Sequence, residues 1–421
     1  MENVDLLLYN AGQLCVVPGG GAAQRGADLG RLGLIENGAV AVRDGRIVAV
    51  GPSDELRAEY SAGMLLDAAG RCVIPGFVDP HTHLPWMGDR ADEFELRLGG
   101  ASYMEIMAAG GGIMSTVRAT RQASVDELVA ANLPRLQRML AHGTTSAEMK
   151  TGYGLDTESE IKQLDAMHAL QQQQPVELTY TFLPAHAVPA EYTGNTDGYV
   201  DRIVGEMLPA GAEWMRAHDT VLFCDVFCEE GVFDLAQTRR ILEAAQRLGY
   251  RLKVHADEFA GLGGTALAVE MGAVSADHLV HTPEADIQAL GRGATIAVAL
   301  PGTPFGLAHH DYTPAKAILE AGGALALATD LNPGTTWCES MPMMMALACR
   351  YMGLTQAQAL AAATLNAAFA IGRGEQVGSL EIGKQADILI LDVSDYRHLG
   401  YRYGTNPVQA VIKKGELVVG P

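Results

Sequence analysis

Long apolar runs are missing from this chain, and so is the pattern of a secretory leader. No run of about 18 apolar residues occurs in the 421-residue sequence, so the sequence contains no candidate transmembrane helix. The segment from Met1 to Asp5 carries acids and no basic region ahead of an apolar core, unlike a signal peptide. We therefore expect a soluble, cytoplasmic protein.

Basic residues are scarce. The chain has 30 lysines and arginines against 50 aspartates and glutamates, which gives a formal net charge of −20. A protein this acidic is a poor electrostatic partner for nucleic acid or for an anionic membrane surface. If the substrate is an anion, individual arginine or lysine side chains must overcome that background charge.

Cysteines are also few for the length of the chain. Six of them in 421 residues do not form a disulfide framework. Cys224 and Cys228 are the only close pair, and they lie in a predicted strand. Buried thiols are favoured there over a redox or zinc pair.

What the chain does have is an enzyme-like balance of 48% hydrophobic and 19% charged residues. Both ends are rich in short predicted strands, and one turn, Asp44-Gly45, predicts a hairpin. We expect residues 1–72 and 376–421 to form one small β-sandwich domain built from both termini.

The middle of the chain, residues 73–375, alternates strands and helices. A capping box at Ser124 and Glu127 begins one helix, and Gly143 stands where its C-terminal left-handed residue belongs. Further helices are predicted over 235–248 and 355–371. Eight predicted strands separated by helices indicate an α/β protein with a (β/α)8 barrel. The predicted strands are Phe77–Thr82, Thr144–Lys150, Glu177–Ala185, Val221–Cys228, Arg251–Ala256, Ala276–Val280, Thr295–Leu300 and Ala324–Thr329.

One connection is unusually long. About sixty residues, from Leu84 to Gly143, separate the first two barrel strands. Long excursions at the carboxyl ends of barrel strands tend to build the substrate side of the site. The triple glycine at 110–112 lacks the Lys-Ser/Thr partner of a phosphate loop, so a flexible loop is predicted.

Metal-ligand residues lie where these strands end. His81 and His83 follow an apolar run, and residues two apart on an extended backbone point the same way. Taken alone, His-x-His is equally compatible with two ordinary loop histidines. His255 and Asp330 end two later strands, and the four together form a nitrogen and oxygen set suited to Zn²⁺ or iron.

Two further strand-end residues carry proton chemistry. Glu258, three residues past His255, can shuttle a proton to a substrate nitrogen. His278 on the sixth strand can stabilise an oxyanion. A lone His255 or His278 would more often be a satisfied core histidine, but the strand-end pattern favours a site. Seven histidines lack this context and are interpreted as surface or structural residues: His142, His168, His218, His281, His309, His310 and His398.

The order of these ligands resembles the amidohydrolase superfamily of metal-dependent hydrolases. Local motifs along nearly the whole barrel are similar to one of its families, the imidazolonepropionases. These motifs are Gly88-Asp89-Arg90, Glu93 to Leu98, Ser102-Tyr103-Met104-Glu105-Ile106, Ala109 to Ile113, Lys150 to Leu155, Ala185-His186-Ala187-Val188-Pro189, Phe227 to Phe233, His255-Ala256-Asp257-Glu258, and Ala328 to Thr335.

The resemblance implies the roles of particular residues. It implies one divalent metal, zinc or iron, on His81, His83, His255 and Asp330, with Glu258, His278 and Asp330 in catalysis. The implied substrate contacts are Arg90, Tyr153, His186, Asn332, Gly334 and Thr335.

Two of the basic residues have alternative interpretations. Arg90 suits a propanoate carboxylate, because its guanidinium offers a bidentate fork; the alternative is a surface salt bridge with Asp89 or Glu93. Lys150 is on the second strand, not on the fourth, where other superfamily members carry a metal-bridging carbamylated lysine. We therefore expect one metal and a structural or supporting role for Lys150.

The expected activity is hydrolysis of the ring amide C–N bond of 4-imidazolone-5-propanoate to N-formimino-L-glutamate, in histidine degradation, through a metal-bound hydroxide. The resemblance also implies a homodimer. The main alternative is a hydrolytic deaminase of a heterocyclic base, which would use the same metal ligands and needs no carboxylate clamp. A non-catalytic binding module is a further alternative, and it would have lost some of its ligands.

Overall fold

Two sheets of eight strands each form the β-structure of the computed structural model, which describes residues 1–100 and 111–420. The motif Ser102–Ile106 and residues Ala109 and Gly110 lie outside the described residues. The strands are β1 Glu2–Cys15, β2 Leu34–Arg43, β3 Arg46–Pro52, β4 Tyr60–Asp67, β5 Cys72–Pro75, β6 Phe77–Asp79, β7 Thr144–Lys150, β8 Glu177–Ala185, β9 Phe223–Cys228, β10 Arg251–Ala256, β11 Ser275–His278, β12 Ile296–Ala299, β13 Ala324–Leu327, β14 Ile388–Leu391, β15 Val408–Lys413 and β16 Glu416–Val419.

The first sheet joins the two ends of the chain. Its order is β16-β15-β14-β5-β1-β2-β3, with β4 also paired to β1, and most neighbours are antiparallel. Asp44 and Gly45 connect β2 to β3, and both have positive φ, 52° and 70°, as a tight hairpin turn requires. This confirms the separate β-structure expected from both termini. The exact limits given above for the two domains stay a prediction.

The second sheet is the barrel. Strands β6 to β13 follow one another in chain order, and every neighbouring pair is parallel. A bridge between Thr82 and Leu331 joins the first strand's end to the last. Helices separate the strands, as parallel pairing requires. The predicted (β/α)8 barrel is therefore confirmed.

Helices connect the barrel strands and cover their outer side. Ser124 and Glu127 form the predicted capping box at the start of one of them, and Gly143, with φ 93°, follows its end. The segment predicted as one helix over 355–371 contains a π-helical turn, Ala362–Asn366, where the Asn366 side chain bonds Gln24 O and Leu325 O. The α-helices are Ser53–Glu59, Ala91–Leu98, Ile113–Gln122, Val125–Ala141, Thr157–Gln171, Thr196–Arg202, Leu208–Ala217, Leu235–Arg247, Gly264–Glu270, Glu284–Arg292, Gly302–Gly306, Ala315–Glu320, Met341–Tyr351, Gln356–Ala361, Ala367–Ala370 and His398–Tyr401.

The barrel strands are almost completely buried, and four of them, β6, β11, β12 and β13, end earlier than predicted. β6 ends at Asp79 instead of Thr82, and β13 at Leu327 instead of Thr329. The candidate ligands His81, His83 and Asp330 therefore lie just beyond the strand ends. Among the described residues, no helix is both long and apolar enough to cross a membrane.

Candidate metal centre and substrate pocket

Three imidazoles and one carboxylate meet at the carboxyl end of the barrel. The Nε2 atom of His83 lies 3.3 Å from Nε2 of His81 and 3.4 Å from Nε2 of His255. Asp330 Oδ1 lies 3.3 Å from the same His83 atom and 3.6 Å from His81 Nε2. All four residues are buried. The structure therefore brings together the four residues predicted as ligands, from β6, β10 and β13.

This geometry fits a small divalent cation. Ligand atoms about 2.0–2.1 Å from a tetrahedral metal lie roughly 3.4 Å from one another, close to the spacing found here. Asp330 Oδ1 is buried and has no hydrogen-bond partner, although buried carboxylate oxygens ordinarily have one. A cation bound between these atoms would satisfy all four groups.

Two buried aspartates lie against two of the candidate ligands. Asp277 Oδ2 lies 2.6 Å from Nδ1 of His81, and Asp225 Oδ2 lies 2.8 Å from Nδ1 of His255. The Asp277 contact is a hydrogen bond and favours the His81 tautomer whose Nε2 lone pair points to the centre, whereas the Asp225 contact lies outside hydrogen-bond geometry. Sequence reasoning assigned no role to either aspartate, although both are charged residues within otherwise buried strands.

Below the histidines, two lysines neutralise the barrel floor. Lys150 Nζ lies 2.7 Å from Asp225 and 3.0 Å from Glu148, and Lys253 Nζ lies 2.7 Å from Glu148. Burial works to lower the pKa of Lys150, but Asp225 and Glu148 outweigh it and raise the pKa, so the amine stays charged. Lys150 lies on the second barrel strand, as predicted, and forms ion pairs with carboxylates.

Glu258 and His278 face each other beside the ligands, with 3.6 Å between Oε2 and Nε2. Burial, and then the neighbouring Asp330 carboxylate, raise the pKa of Glu258 well above its usual value. Burial lowers the pKa of His278 to about 4. Both shifts favour the uncharged form of the group concerned. His278 and Asp330 have positive φ, 77° and 55°, a strained conformation that is concentrated at functional sites.

A cavity of about 150 Å³ opens directly onto these groups. Apart from the deeper His81, and Gly334 behind Arg90, it collects every residue predicted for the site. Sequence reasoning missed its apolar lining, Ile113, Phe227 and Phe259, because such residues have no chemical signature. The cavity is lined by His83, Arg90, Ile113, Tyr153, His186, Phe227, His255, Glu258, Phe259, His278, Asp330, Asn332 and Thr335.

Arg90 is paired with Glu93 and also lines the cavity. Its guanidinium forms two hydrogen bonds with Glu93, through Nε at 2.8 Å and through Nη2. It also lines the cavity. Asp89, the other candidate partner, instead accepts a hydrogen bond from the backbone of Ala91.

Tyr153 and His186 form the wall beside His83. The His186 ring stacks on His83 with 4.7 Å between centroids, and its Nδ1 lies 3.0 Å from Gly152 O. That contact assigns the proton to Nδ1 and leaves Nε2 as an acceptor. Gly152 has φ 110°, and a Cβ there would lie 2.9 Å from His186 Nδ1, so only glycine fits.

The loop after β13 is organised by Asn332. Its Oδ1 accepts hydrogen bonds from the backbone of Gly334 and of Thr335, both at 2.8 Å, and its Nδ2 donates to Asp330 O. Much of its hydrogen-bonding capacity is thus used inside the loop. Gly334 lies against Arg90, and a Cβ there would be 2.2 Å from Nη1.

The seven histidines interpreted as surface or structural residues do not line this cavity. Three of them, His281, His309 and His310, line a neighbouring cavity of about 410 Å³, which shares Glu258 and Phe259 with the first. His168 and His218 lie in an aromatic cluster with Trp214.

Comparison with known proteins identifies the family of this chain. The chain matches the Amidohydrolase family over residues 72–418 and a bacterial imidazolonepropionase-like composite domain over residues 38–60. It is 55% identical to the imidazolonepropionase of Herpetosiphon aurantiacus, over 99% of this chain and 98% of that protein. It is 50% identical to the imidazolonepropionase of Chloroflexus aggregans, over 100% and 99% of the two chains.

Solved structures agree on the fold. An adenosine deaminase from Xanthomonas campestris with bound zinc superposes with a TM-score of 0.72 at 22% identity, over 100% of this chain and 94% of that one. The guanine deaminase of E. coli gives 0.73 at 15% identity, over 99% of both chains. At these identities the likeness concerns the fold alone.

Proposed function

This chain belongs to the imidazolonepropionase family of the amidohydrolases, and on that premise we propose that it hydrolyses the ring amide C–N bond of 4-imidazolone-5-propanoate to N-formimino-L-glutamate. One observation carries the proposal beyond the family. A cavity of about 150 Å³ has the histidine and aspartate centre on one side and the Arg90 guanidinium on another. A small ring with an anionic side chain needs both of these groups at once.

His81, His83, His255 and Asp330 would hold one divalent metal. Such a metal lowers the pKa of a coordinated water towards neutrality and so supplies a nucleophile at physiological pH. Asp277 would keep Nε2 of His81 aimed at the centre, and Asp225 places a negative charge 2.8 Å from Nδ1 of His255. Zinc and iron both suit this donor set.

The remaining groups handle protons. Asp330 Oδ1, which has no hydrogen-bond partner among the described residues, can accept the proton that the attacking water loses. His278 can hydrogen-bond the ring carbonyl oxygen as negative charge develops on it. Glu258, whose pKa is raised by burial, can deliver a proton to the departing ring nitrogen.

Substrate recognition would rest on further residues that line the cavity. Arg90 offers a planar, charged fork for the propanoate carboxylate. Tyr153 and His186 present a hydroxyl and an imidazole to the ring, beside the stacked His83. Thr335, on the loop with Asn332 and Gly334, reaches the cavity from the other side.

A direct assay tests the proposal. Imidazolonepropanoate is followed by its ultraviolet absorbance, before chelation, after chelation and after returning Zn²⁺ or Fe²⁺. We expect turnover that is lost with the metal and restored with it. The rival deaminase acts on a neutral base, which gains nothing from Arg90. Deamination of such a base, with no turnover of imidazolonepropanoate, would overturn the proposal.

A non-catalytic barrel would be expected to have lost ligands, and here all four positions are filled. The homodimer, the cytoplasmic location and the choice between zinc and iron stay predictions. Size-exclusion chromatography with light scattering, cell fractionation and elemental analysis of freshly purified protein would test the three in turn.

A further inference from the structure

Glu93 is a buried acid that lies next to the substrate cavity and has no part in the chemistry above. It is 8% exposed and lies in the first turn of the helix Ala91–Leu98. One oxygen accepts hydrogen bonds from Arg90 Nε and from the backbone N–H of Gly112, both at 2.8 Å. The other oxygen accepts from Arg90 Nη2. Both carboxylate oxygens are therefore committed to fixing these two groups.

The Glu93 carboxylate occupies one edge of the Arg90 guanidinium and leaves a second edge without a carboxylate. A guanidinium has five N–H donors, and a carboxylate can bind it in parallel along the Nε–Nη2 edge or along the Nη1–Nη2 edge. Glu93 occupies the Nε–Nη2 edge. Nη1 has no hydrogen-bond partner among the described residues and lies against Gly334. Among these residues, no carboxylate therefore occupies the Nη1–Nη2 edge.

Arg90 also lies on a wall between two cavities. One is the substrate cavity of about 150 Å³, and the other is an outer cavity of about 520 Å³ bordered by Phe94, Arg97 and Trp337. An arginine side chain without a fixed partner has rotamers that reach either side, and holding one of them costs conformational entropy. The bidentate contact with Glu93 removes that freedom.

We propose that Glu93 is a positioning residue that holds the guanidinium of Arg90 with its free edge available to the substrate's carboxylate. The inference rests on the proposed function, since it assumes an anionic substrate. Its consequence is specificity: Glu93 touches no substrate atom, yet it determines how tightly the carboxylate-bearing ring binds.

The test is a double-mutant cycle on the metal-loaded enzyme, with KM and kcat for imidazolonepropanoate measured for the wild type, Glu93→Ala, Arg90→Ala and the double variant. We expect Glu93→Ala to raise KM about tenfold while kcat changes by less than about threefold, as loss of ground-state binding predicts. In the Arg90→Ala background, Glu93→Ala should change KM by less than about twofold, because the two residues act as one unit. Glu95→Ala, an exposed acid on the same helix, is the matched control and should leave KM unchanged.

A second measurement does not depend on turnover. Binding of imidazole-4-propanoate, by calorimetry, should weaken in Glu93→Ala, whereas binding of imidazole, which has no carboxylate, should not. Glu93→Asp, which keeps the carboxylate, should recover part of the affinity. If Glu93→Ala fails to fold, Glu93→Gln replaces it with the same expectations.

The KM values distinguish a failure of the inference about Glu93 from a failure of the proposed function. If Arg90→Ala raises KM and Glu93→Ala does not, the inference is wrong and the proposed function stands. If the two single effects multiply in the double variant, Glu93 acts through general loop structure, and the inference is again wrong. If Arg90→Ala itself leaves KM unchanged, Arg90 does not bind the carboxylate and the inference is wrong, whereas turnover of imidazolonepropanoate by the wild type still supports the proposed function.

Discussion

His81 Nδ1 lies 2.6 Å from Asp277 Oδ2, and neither side chain is exposed to solvent. This contact connects β6 to β11 across the barrel and aims Nε2 of His81 at the candidate metal centre. The carboxylate in turn accepts a hydrogen bond from Ser275 and lies 3.6 Å from Lys253 Nζ. The candidate metal centre is thus supported by residues that are not among its predicted ligands.

Removing that carboxylate should weaken metal binding. In Asp277→Ala, His81 loses the partner that sets its tautomer, and we expect metal affinity to fall about 10–100-fold. Competition with a chromophoric chelator measures the affinity directly. Asp311→Ala, an exposed acid on a loop outside the barrel strands, is the control and should bind metal as the wild type does. Equal affinities for Asp277→Ala and the control would show that Asp277 does not support the site.

Breaking the ion network on the barrel floor should destabilise the fold. Lys253 Nζ donates to Glu148 and to Pro80 O, and both charged side chains are fully buried. Lys253→Met leaves Glu148 with less compensation, and removing one partner of a buried ion pair costs about 3–5 kcal/mol. Urea denaturation of the metal-free protein measures this free energy of unfolding.

The matched comparison is an exposed ion pair. Arg239 and Glu270 are 2.6 Å apart on the surface, where solvent screens the attraction. Arg239→Met should therefore leave the urea midpoint nearly unchanged. If the urea midpoint shifts equally in Lys253→Met and Arg239→Met, burial does not determine how much free energy of unfolding the loss of an ion pair costs.

A single methyl group at Gly334 should displace the Arg90 guanidinium. Its Cβ would lie 2.2 Å from Arg90 Nη1, so the guanidinium must move. We expect Gly334→Ala to raise KM at least about tenfold with a smaller effect on kcat. Gly404→Ala, at an exposed glycine with no atom within 4 Å of the added Cβ, should leave KM and kcat unchanged. Unchanged KM in Gly334→Ala would place the carboxylate elsewhere.

The contact between the terminal sheet and the barrel should be pH-sensitive. Glu177, at the start of β8, lies 2.8 Å from both Lys413 and Lys414 and 3.1 Å from Arg373. Burial works to raise the pKa of Glu177, but Lys413 and Arg373 outweigh it and hold the pKa well below its usual range.

The direction of the pH dependence follows from the difference between the folded and unfolded pKa of Glu177. Since the folded-state pKa is the lower one, the stabilisation is complete above the unfolded pKa of about 4.3 and is lost as the pH falls below it. Glu177→Gln should cost about 1.5–3 kcal/mol at pH 7, and the difference from wild type should shrink between pH 5 and 3. Urea denaturation across this range measures it, with the exposed Glu416→Gln as control. A difference that is constant with pH would contradict the assignment.

Much of the barrel could be predicted from local pattern. Thr144–Lys150, Glu177–Ala185 and Arg251–Ala256 were predicted to the residue, since each is a short apolar or β-branched run between turn signals. Strand ends were less accurate where chemistry occurs. His81 lies beyond the end of β6 and Asp330 beyond the end of β13, and propensity contains no information about where these strands stop.

The candidate site likewise contains residues that the sequence identified and residues that it did not. His81, His83, His255, Glu258, His278 and Asp330 could be identified because a parallel barrel brings the carboxyl ends of its strands to one face. Residue type and position along the strand were enough for these. Asp225, Asp277 and Glu148 were not identified, because their partners lie on other strands and their roles depend on distances across the barrel.

The fold class, a candidate ligand set and the family could thus be predicted from the chain alone, since these depend on periodicity, spacing and residue type. The residues that support each candidate group became apparent in the folded protein. It showed that Arg90 is paired with Glu93 and still lines the substrate cavity, which the sequence could only pose as alternatives. The physical reason is that a guanidinium has two edges, and which edge is occupied depends on how a helix and two loops pack together in space.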